Sequence, residues 1–314
     1  MKKQILSLAL IILVLAIVIT GCGNGDTATT EQNRLQDEND MQGGTGGTTT
    51  QAPAADPAMP ETPSSYFTHA FSAEHNGIVI TGYSGSGSVR VRVPDTIEGL
   101  PVVMIGYVRS GSGAWTTWQG AFQGARIMTV YLPETLVEIG RNAFAGSQIT
   151  NIIIPNNVTT ISNRAFASTA LTSIVIPDNV TEIGNEAFAR TQTLTNITIG
   201  NSVTSIGEGA FTATALTSIV IPDNVTEIGN NAFAEIPTLT SVIMGNGVTN
   251  IGRQFFMDST ALASVTIPDS VTSIDITAFW DCPSLDEATR ARILSINPNA
   301  QFMQPGPERA IAGD

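Results

Sequence analysis

Few side chains in this sequence could act as a nucleophile, a general base or a metal ligand. The chain has two histidines, His69 and His75, and two cysteines, Cys22 and Cys282. No serine, histidine and aspartate arrangement and no phosphate-binding loop appears in the sequence. We therefore expect no catalytic site, no enzymatic activity and no cofactor, and we interpret Cys282 as a small residue of the core.

Acidic side chains recur at regular intervals and raise the question of a calcium site. The stretch PDNVTE at residues 177–182 carries two carboxylates and returns at residues 222–227. It lacks the dense Asp, Asn and Gly spacing of a calcium loop and supplies at most two ligands per repeat. We predict no metal site and interpret these side chains as solvated charges, namely Glu134, Glu138, Asp178, Glu182, Asp223, Glu227 and Asp269.

The N-terminal segment resembles an export signal. Lys2 and Lys3 precede an apolar run over residues 5–19, and small residues lead to Cys22. The run is shorter than the roughly 20 residues that a bilayer-spanning helix needs. Residues 1–21 are therefore predicted to be a cleaved signal peptide.

The sequence Ile19-Thr20-Gly21-Cys22 also resembles a bacterial lipobox. This resemblance implies that Cys22 is lipid-modified and anchors the exported chain to the bacterial cell envelope, where we expect it at the cell surface. A plain signal peptide and an uncleaved anchor are the alternatives. With lipid on Cys22, no second cysteine remains to form a disulfide with Cys282.

Charge and composition limit the possible partners. The chain carries 27 acidic and 14 basic residues, and no lysine occurs after Lys3. Such a chain cannot neutralise phosphates, so nucleic acid is excluded as a partner. Residues 22–64 are rich in Gly, Thr and Pro and poor in large apolar side chains. They are predicted to be a disordered, lipid-anchored linker.

From residue 65 onward the sequence repeats. The stretch ALTSIVIPDNVTEIGN occurs at residues 170–185 and again, unchanged, at 215–230. A phenylalanine returns every 22 or 23 residues, a period typical of a solenoid. The marked positions are Phe122, Phe144, Phe166, Phe188, Phe211, Phe233, Phe256 and Phe279.

Each repeat predicts one short strand per coil. In a strand, the side chains of Ile174 and Ile176 point to one face and that of Val175 points to the other. Pro177 ends the strand because it has no N–H to donate to the hydrogen-bond ladder. The following VTEIG is interpreted as a turn in which Gly184 adopts a conformation that a side chain resists. One coil cannot bury its own apolar residues, so neighbouring coils must stack.

The units LTSIVIPDNVTEIGNEAF and LASVTIPDSVTSIDITAF resemble the BspA-type, or Treponema-type, leucine-rich repeat of bacterial surface proteins. The resemblance covers roughly residues 78–285. It implies a β-rich solenoid, a right-handed coil of about eight repeats, and an adhesin-like class of activity directed at host matrix proteins or other cell surfaces. It assigns no particular site.

The repeat boundaries predict the remaining organisation. Residues 65–106 should form an N-terminal β cap and the start of the first repeat, 107–118 an insertion loop, and 119–284 the leucine-rich repeats. Residues 285–314 should form a short cap helix and a tail. Within the N-terminal cap, residues 78–101 read as paired strands around a Gly/Ser turn. Ser284 and Glu287 form a capping-box pattern before the helix, and residues 298–314 are expected to fray.

Two rows of outward side chains follow from the strand alternation. One contains Tyr131, Ile153, Val175, Thr198, Val220, Ile243 and Thr266. The other contains Thr129, Asn151, Ser173, Asn196, Ser218, Ser241 and Ser264. Such rows are explained either by cross-strand pairing alone or by binding of a protein partner along an extended surface.

The insertion concentrates aromatic side chains. Residues 107–118 contain Tyr107, Arg109, Trp115 and Trp118. Exposed aromatics are enriched in binding hot spots, so these four residues are candidate partner contacts. The alternative is that the tryptophans cover the N-terminal end of the core.

We therefore interpret the chain as a non-enzymatic surface lipoprotein that binds a protein partner, such as a matrix or cell-surface protein, through its solenoid. The alternatives are carbohydrate binding through the tryptophan-containing insertion and an envelope scaffold without an external ligand.

Overall fold

The computed structural model describes residues 59–85, 89–106 and 120–302 of the 314-residue chain. The predicted signal peptide, Cys22, nearly all of the linker and the insertion at residues 107–118 lie outside the described residues. The described part contains a β-solenoid of about eight coils with one short helix at its C-terminal end, which confirms the predicted fold.

Each coil contributes two short strands, so the prediction of one strand per coil was wrong. Besides β10 (Ser173–Val175), the coil that begins near residue 171 contains β11 (Glu182–Ile183). Glu182 pairs in parallel with Thr160 of the preceding coil and with Ser205 of the next. A strand of two residues is too short to leave an alternating pattern in the sequence, and it forms here because neighbours flank it on both sides.

The strands stack into two rows, and all pairing within each row is parallel. The first row contains β3 (Arg90–Arg92), β6 (Thr129–Tyr131), β8 (Asn151–Ile152), β10, β12 (Asn196–Thr198), β14 (Ser218–Ile221), β16 (Ser241–Met244) and β18 (Ser264–Thr266). The second row contains β5 (Leu100–Ile105), β7 (Glu138–Ile139), β9 (Thr160–Ile161), β11, β13 (Ser205–Ile206), β15 (Glu227–Ile228), β17 (Asn250–Ile251) and β19 (Ser273–Ile274).

The repeated phenylalanines form a ladder through the core. From Phe122 to Phe233, successive rings lie 5.2 to 5.4 Å apart between centroids, with interplanar angles of 4° to 10°. The backbone supports the same spacing, because Phe144 N donates to Ala165 O of the next coil at 2.8 Å. The phenylalanine period therefore marks one ring per coil, as the sequence predicted.

Gly184 and Gly207, which follow second-row strands, lie where neighbouring coils approach closely. A Cβ at Gly184 would lie 2.6 Å from the backbone nitrogen of Asn163 in the preceding coil, and a Cβ at Gly207 would lie 2.4 Å from that of Asn185. The sequence-based explanation of Gly184 by an unusual backbone conformation was therefore wrong. Here glycine allows two backbones to pack against each other.

A column of small polar residues lies beside the phenylalanines inside the core. Ser259 is fully buried and its hydroxyl donates to Phe233 O at 3.2 Å. Cys282 occupies the same position one coil later, and its thiol donates to Phe256 O at 3.1 Å. This confirms Cys282 as a core residue. The other members are Ser147, Thr169, Thr191 and Thr214.

The N-terminal end differs from the predicted strand pair. Strand β1 (Phe67–Ser72) pairs antiparallel with β2 (Gly77–Tyr83), and β2 then pairs in parallel with β5. Strand β3 joins the other row by pairing with β6, so β2 and β3 are not partners across the Gly/Ser segment. A short strand, β4 (Thr96–Ile97), pairs antiparallel with β5, and a 3-10 turn spans Ser64–Tyr66.

The C-terminal end is closed by α1 (Glu287–Ile296). Its N-cap is Asp286, whose carboxylate accepts from Thr289 N at 2.7 Å, so the predicted cap at Ser284 was wrong. The Ser284 hydroxyl instead donates to Thr260 O at 2.7 Å. Residues 298–302 do not fray, because Cys282 N donates to Phe302 O at 2.9 Å. None of the helices in the described ranges is long and apolar enough to span a membrane.

Candidate functional site

The outward side of the first row exposes a stripe of aliphatic side chains. Val175 is 63% exposed, Val220 58%, Ile243 52% and Ile153 41%. Their neighbours on the same strands, such as Ile174 and Ile219, are buried. The predicted alternation therefore places large apolar groups in solvent on one side of the sheet while the core is filled from the other.

We call this surface the strand face and define it by the two predicted rows of outward residues. Parallel pairing places Val175 beside Thr198, and Val220 beside Ile243, which is followed by Thr266. Thr198 and Thr266 are exposed, and Tyr131 is half-buried. The structure thus brings Val175 into register with Thr198, and Val220 into register with Ile243 and Thr266, while the role of the row in binding stays a prediction. The other predicted set of outward residues lies on the same first-row strands, at Thr129, Asn151, Ser173, Asn196, Ser218, Ser241 and Ser264.

The N-terminal limit of the strand face is organised by an arginine that sequence reasoning missed. Arg90 Nη2 donates to the Tyr131 hydroxyl at 2.5 Å, and its guanidinium carbon lies 5.5 Å from the Tyr131 ring centroid. Tyr131, Glu134 and Ile153 line a shallow depression of about 130 Å³ beside it. The contact joins β3 to β6, strands whose sequence separation gave no signal of their proximity.

Carboxylates border the strand face where the first-row strands end. We call Glu134, Asp178, Asp223 and Asp269 the acidic rim; all four are exposed. Asp178 Oδ1 accepts from Asn201 N of the next coil at 2.8 Å, and Asp223 Oδ1 accepts from Asn246 N at 2.8 Å. Asp269 forms an ion pair with Arg292 at 3.1 Å. Backbone N–H groups of the next coil thus hold the carboxylates of Asp178 and Asp223 in place, and Arg292 holds that of Asp269.

The remaining predicted carboxylates lie on the second row, apart from the rim. Glu138 and Glu182 both pair with Thr160, and Glu182 and Glu227 both pair with Ser205. A hydroxyl residue therefore separates each glutamate from the next along this row. The described ranges hold no group of three or more His, Cys, Asp or Glu side chains placed to bind a metal ion.

The two histidines belong to the N-terminal hairpin and not to the strand face. His69 Nε2 lies 3.6 Å from Glu98 Oε1, and the ring of His75 contacts Ser72 Oγ at 3.4 Å. His75 N also donates to the same hydroxyl, at 3.3 Å. The serine thus stabilises the tight turn between β1 and β2, which accounts for its proximity to a histidine.

The predicted insertion at residues 107–118 is not among the residues that the structure describes. Tyr107, Arg109, Trp115 and Trp118 lie outside the described residues, so the structure does not place them. The chain on either side is fixed: Gly106 N donates to Ile80 O at 2.9 Å, and Gly120 N donates to Gln123 Oε1 at 3.0 Å. The described chain therefore stops directly after β5 and resumes two residues before Phe122.

Comparison with known proteins supports the fold. A protein-family model described as BspA type Leucine rich repeat region (6 copies) matches residues 116–239 and 159–286 of the chain. Together these matches span more than half of its length. No curated protein matches the chain.

Solved structures of bacterial leucine-rich repeat proteins are similar. The T. pallidum Leucine Rich Repeat protein (TpLRR) is 26% identical, with 78% of this chain and 100% of that chain covered and a TM-score of 0.59. A leucine rich cell surface protein from Faecalibacterium prausnitzii is 27% identical over 74% of this chain and 76% of that chain, with a TM-score of 0.44. The coil geometry and the family match together show that this chain belongs to the BspA-type leucine-rich repeat family.

Proposed function

We propose that this chain is a non-enzymatic bacterial surface lipoprotein that binds a protein partner along its strand face. The observation that carries the proposal is the stripe of four aliphatic side chains, each at least 41% exposed, along the outward side of the first row: Ile153, Val175, Val220 and Ile243. A partner that covers this stripe removes apolar area from water. Each Å² removed contributes roughly 25 cal/mol of favourable free energy, from which the costs of association must be subtracted.

Sheet stability alone is a weaker explanation of the stripe. Threonine is β-branched like valine and pairs well across strands, and it already occupies the same row at Thr198 and Thr266. A row selected only for pairing could use threonine throughout and remain more soluble. The presence of valine and isoleucine at four exposed positions favours a surface that is covered by a partner.

The insertion is proposed as a second contact region. Tyr107, Arg109, Trp115 and Trp118 are the types of residue that dominate binding hot spots. Among the described residues, Phe67 and Tyr83 also neighbour Phe122, the N-terminal ring of the phenylalanine ladder, at 6.3 Å and 5.2 Å between centroids. These neighbours supply a cap for the ladder, which supports a binding role for the tryptophans.

Export and lipid anchoring at Cys22 complete the proposal, on the basis of the lipobox-like sequence. Metabolic labelling with a tagged fatty acid tests the anchor directly. We expect label on the wild-type chain and none on the Cys22→Ala variant. Protease treatment of intact cells then tests exposure at the surface, because an outward-facing solenoid is digested and an inward-facing scaffold survives.

A pull-down tests partner binding. The full chain, held in mild detergent through a C-terminal tag, is exposed to matrix and envelope extracts alongside two variants. One variant carries Val175→Thr, Val220→Thr and Ile243→Thr, and the other lacks residues 107–118. We expect the threonine variant to lose the captured protein. Binding that is lost only with the insertion, or that is replaced by captured glycans, would move the site to the tryptophans and contradict the strand-face proposal.

A further inference from the structure

We propose that the partner covering the strand face presents arginine or lysine side chains beside an aliphatic surface. This inference rests on the proposed function and names the chemistry of the partner. It is carried by the relation between the apolar stripe and the acidic rim, which run along the same strands.

The rim carboxylates in the middle of the solenoid are available to a partner. Asp178 and Asp223 are exposed, and each uses one carboxylate oxygen to accept a backbone N–H from the next coil. No arginine or histidine pairs with either aspartate in the described part of the chain. Each aspartate therefore presents a fixed negative charge whose second oxygen has no partner among the described residues.

In the middle coils, no positive charge on the described first-row strands balances Asp178 and Asp223. Between Ile153 and Ile243 the first-row strands carry no arginine, and the chain has no lysine after Lys3. The described arginines of these coils, including Arg164 and Arg190, lie in the turns around the phenylalanines. With a formal net charge of -13, the whole chain adds to the negative potential of the rim.

The apolar stripe and the acidic rim run side by side at a fixed spacing. Val175 precedes Asp178 by three residues, and Val220 precedes Asp223 in the same way two coils later. With coils about 4.8 Å apart, equivalent rim charges are separated by about 10 Å along the solenoid axis. A basic segment in the polyproline II conformation has three residues per turn and a rise of about 3.1 Å per residue, so charged side chains at every third position share one face about 9 Å apart and match this spacing.

A second copy of this chain does not fit the same surface. Two strand faces brought together would place no arginine or lysine of the first-row strands between Ile153 and Ile243 opposite either acidic rim, and an arrangement with the rims aligned would set like charges against each other. The complementary occupant is a basic protein segment with aliphatic side chains between its charges. Steering by opposite charge would also raise its association rate at low salt.

Selection from random peptides displayed on phage tests the inference without a known partner. The full chain, in mild detergent and captured through its C-terminal tag, serves as the bait. Recovered peptides are then measured against an Asp178→Asn/Asp223→Asn variant and against a Val175→Thr/Val220→Thr variant. Asparagine is a conservative replacement, because Asn201 and Asn246 occupy the rim position in the alternating coils and an amide oxygen can still accept the backbone N–H.

We expect selected peptides to be enriched in Arg and Lys together with aliphatic residues. Their affinity should fall about fivefold or more in the asparagine variant, and salt of about 1 M should abolish most of that difference. Peptides without basic enrichment, or with equal affinity for the asparagine variant, would overturn the inference. If those peptides still bind the threonine variant more weakly than the wild-type chain, the strand face remains the proposed binding surface and only the basic character of the partner is refuted. If affinity is unchanged in both variants, both proposals fail.

Discussion

The Asp178 carboxylate accepts a hydrogen bond from Asn201 N, 2.8 Å away in the next coil. The same contact recurs between Asp223 and Asn246, 45 residues further along. Acid and amide thus alternate from coil to coil, which keeps carboxylates about 10 Å apart instead of about 5 Å. Directly opposed like charges destabilise parallel strands and turns, so this alternation is a physical reason for a repeat that spans two coils.

An added rim charge should therefore destabilise the solenoid. Asn201→Asp places a carboxylate between Asp178 and Asp223, and we expect it to lower the free energy of unfolding by roughly 0.5–1 kcal/mol at low salt. Urea denaturation at low and high ionic strength measures the effect, with Asn201→Ser as the uncharged control. The alternation argument fails if the two variants have the same stability at low salt.

The phenylalanine ladder should make the largest single contribution to stability. Phe188 is fully buried between the rings of Phe166 and Phe211. We expect Phe188→Ala to cost about 3–5 kcal/mol because it removes a large side chain and leaves a cavity. Phe71 is 51% exposed, so Phe71→Ala is the control and should change the thermal midpoint little. Equal midpoints for the two variants would contradict this account of the core.

The buried hydroxyls offer a matched pair of serines. Ser259 Oγ donates to Phe233 O, whereas the buried Ser147 Oγ has no hydrogen-bond partner among the described residues. We expect Ser259→Ala to cost about 1–2 kcal/mol because a buried hydrogen bond is lost, and Ser147→Ala to be neutral or slightly stabilising. Chemical denaturation of both variants checks this. The reverse order of stability would show that these hydroxyls do not act through hydrogen bonding.

Burial raises the pKa of Cys282 from its ordinary value of 9.0 to about 12. Because the folded state holds the thiol proton more tightly, this contribution to stability is complete below about pH 9 and is lost as the pH rises toward 12. We expect the free energy of unfolding of the wild-type chain to fall more steeply between pH 9 and 12 than that of the Cys282→Ser variant. Iodoacetamide should label Cys282 only in denaturant, and rapid labelling of the native chain would refute the buried position.

The sequence could predict features that depend on a long periodic pattern. Phenylalanine spacing gave the ladder, and alternation about Val175 gave the strand face, because every coil repeats the same signal. The two-residue strand at Glu182 was missed since its pairing depends on neighbouring coils. The cap at Asp286 was missed because Ser284 is instead held by Thr260 O in the preceding coil. Arg90 and Tyr131 are 41 residues apart in sequence, and their contact was missed because it depends on the pairing of β3 with β6.

The most direct test of the central claim is the affinity of the captured partner for strand-face variants that change only apolar character. Val175→Thr/Val220→Thr/Ile243→Thr keeps β-branching, and Thr198→Val/Thr266→Val makes the opposite change on the same row. Surface plasmon resonance should show roughly tenfold or greater weakening for the first variant and tighter binding for the second. Unchanged affinity for both variants would show that the partner does not bind the strand face.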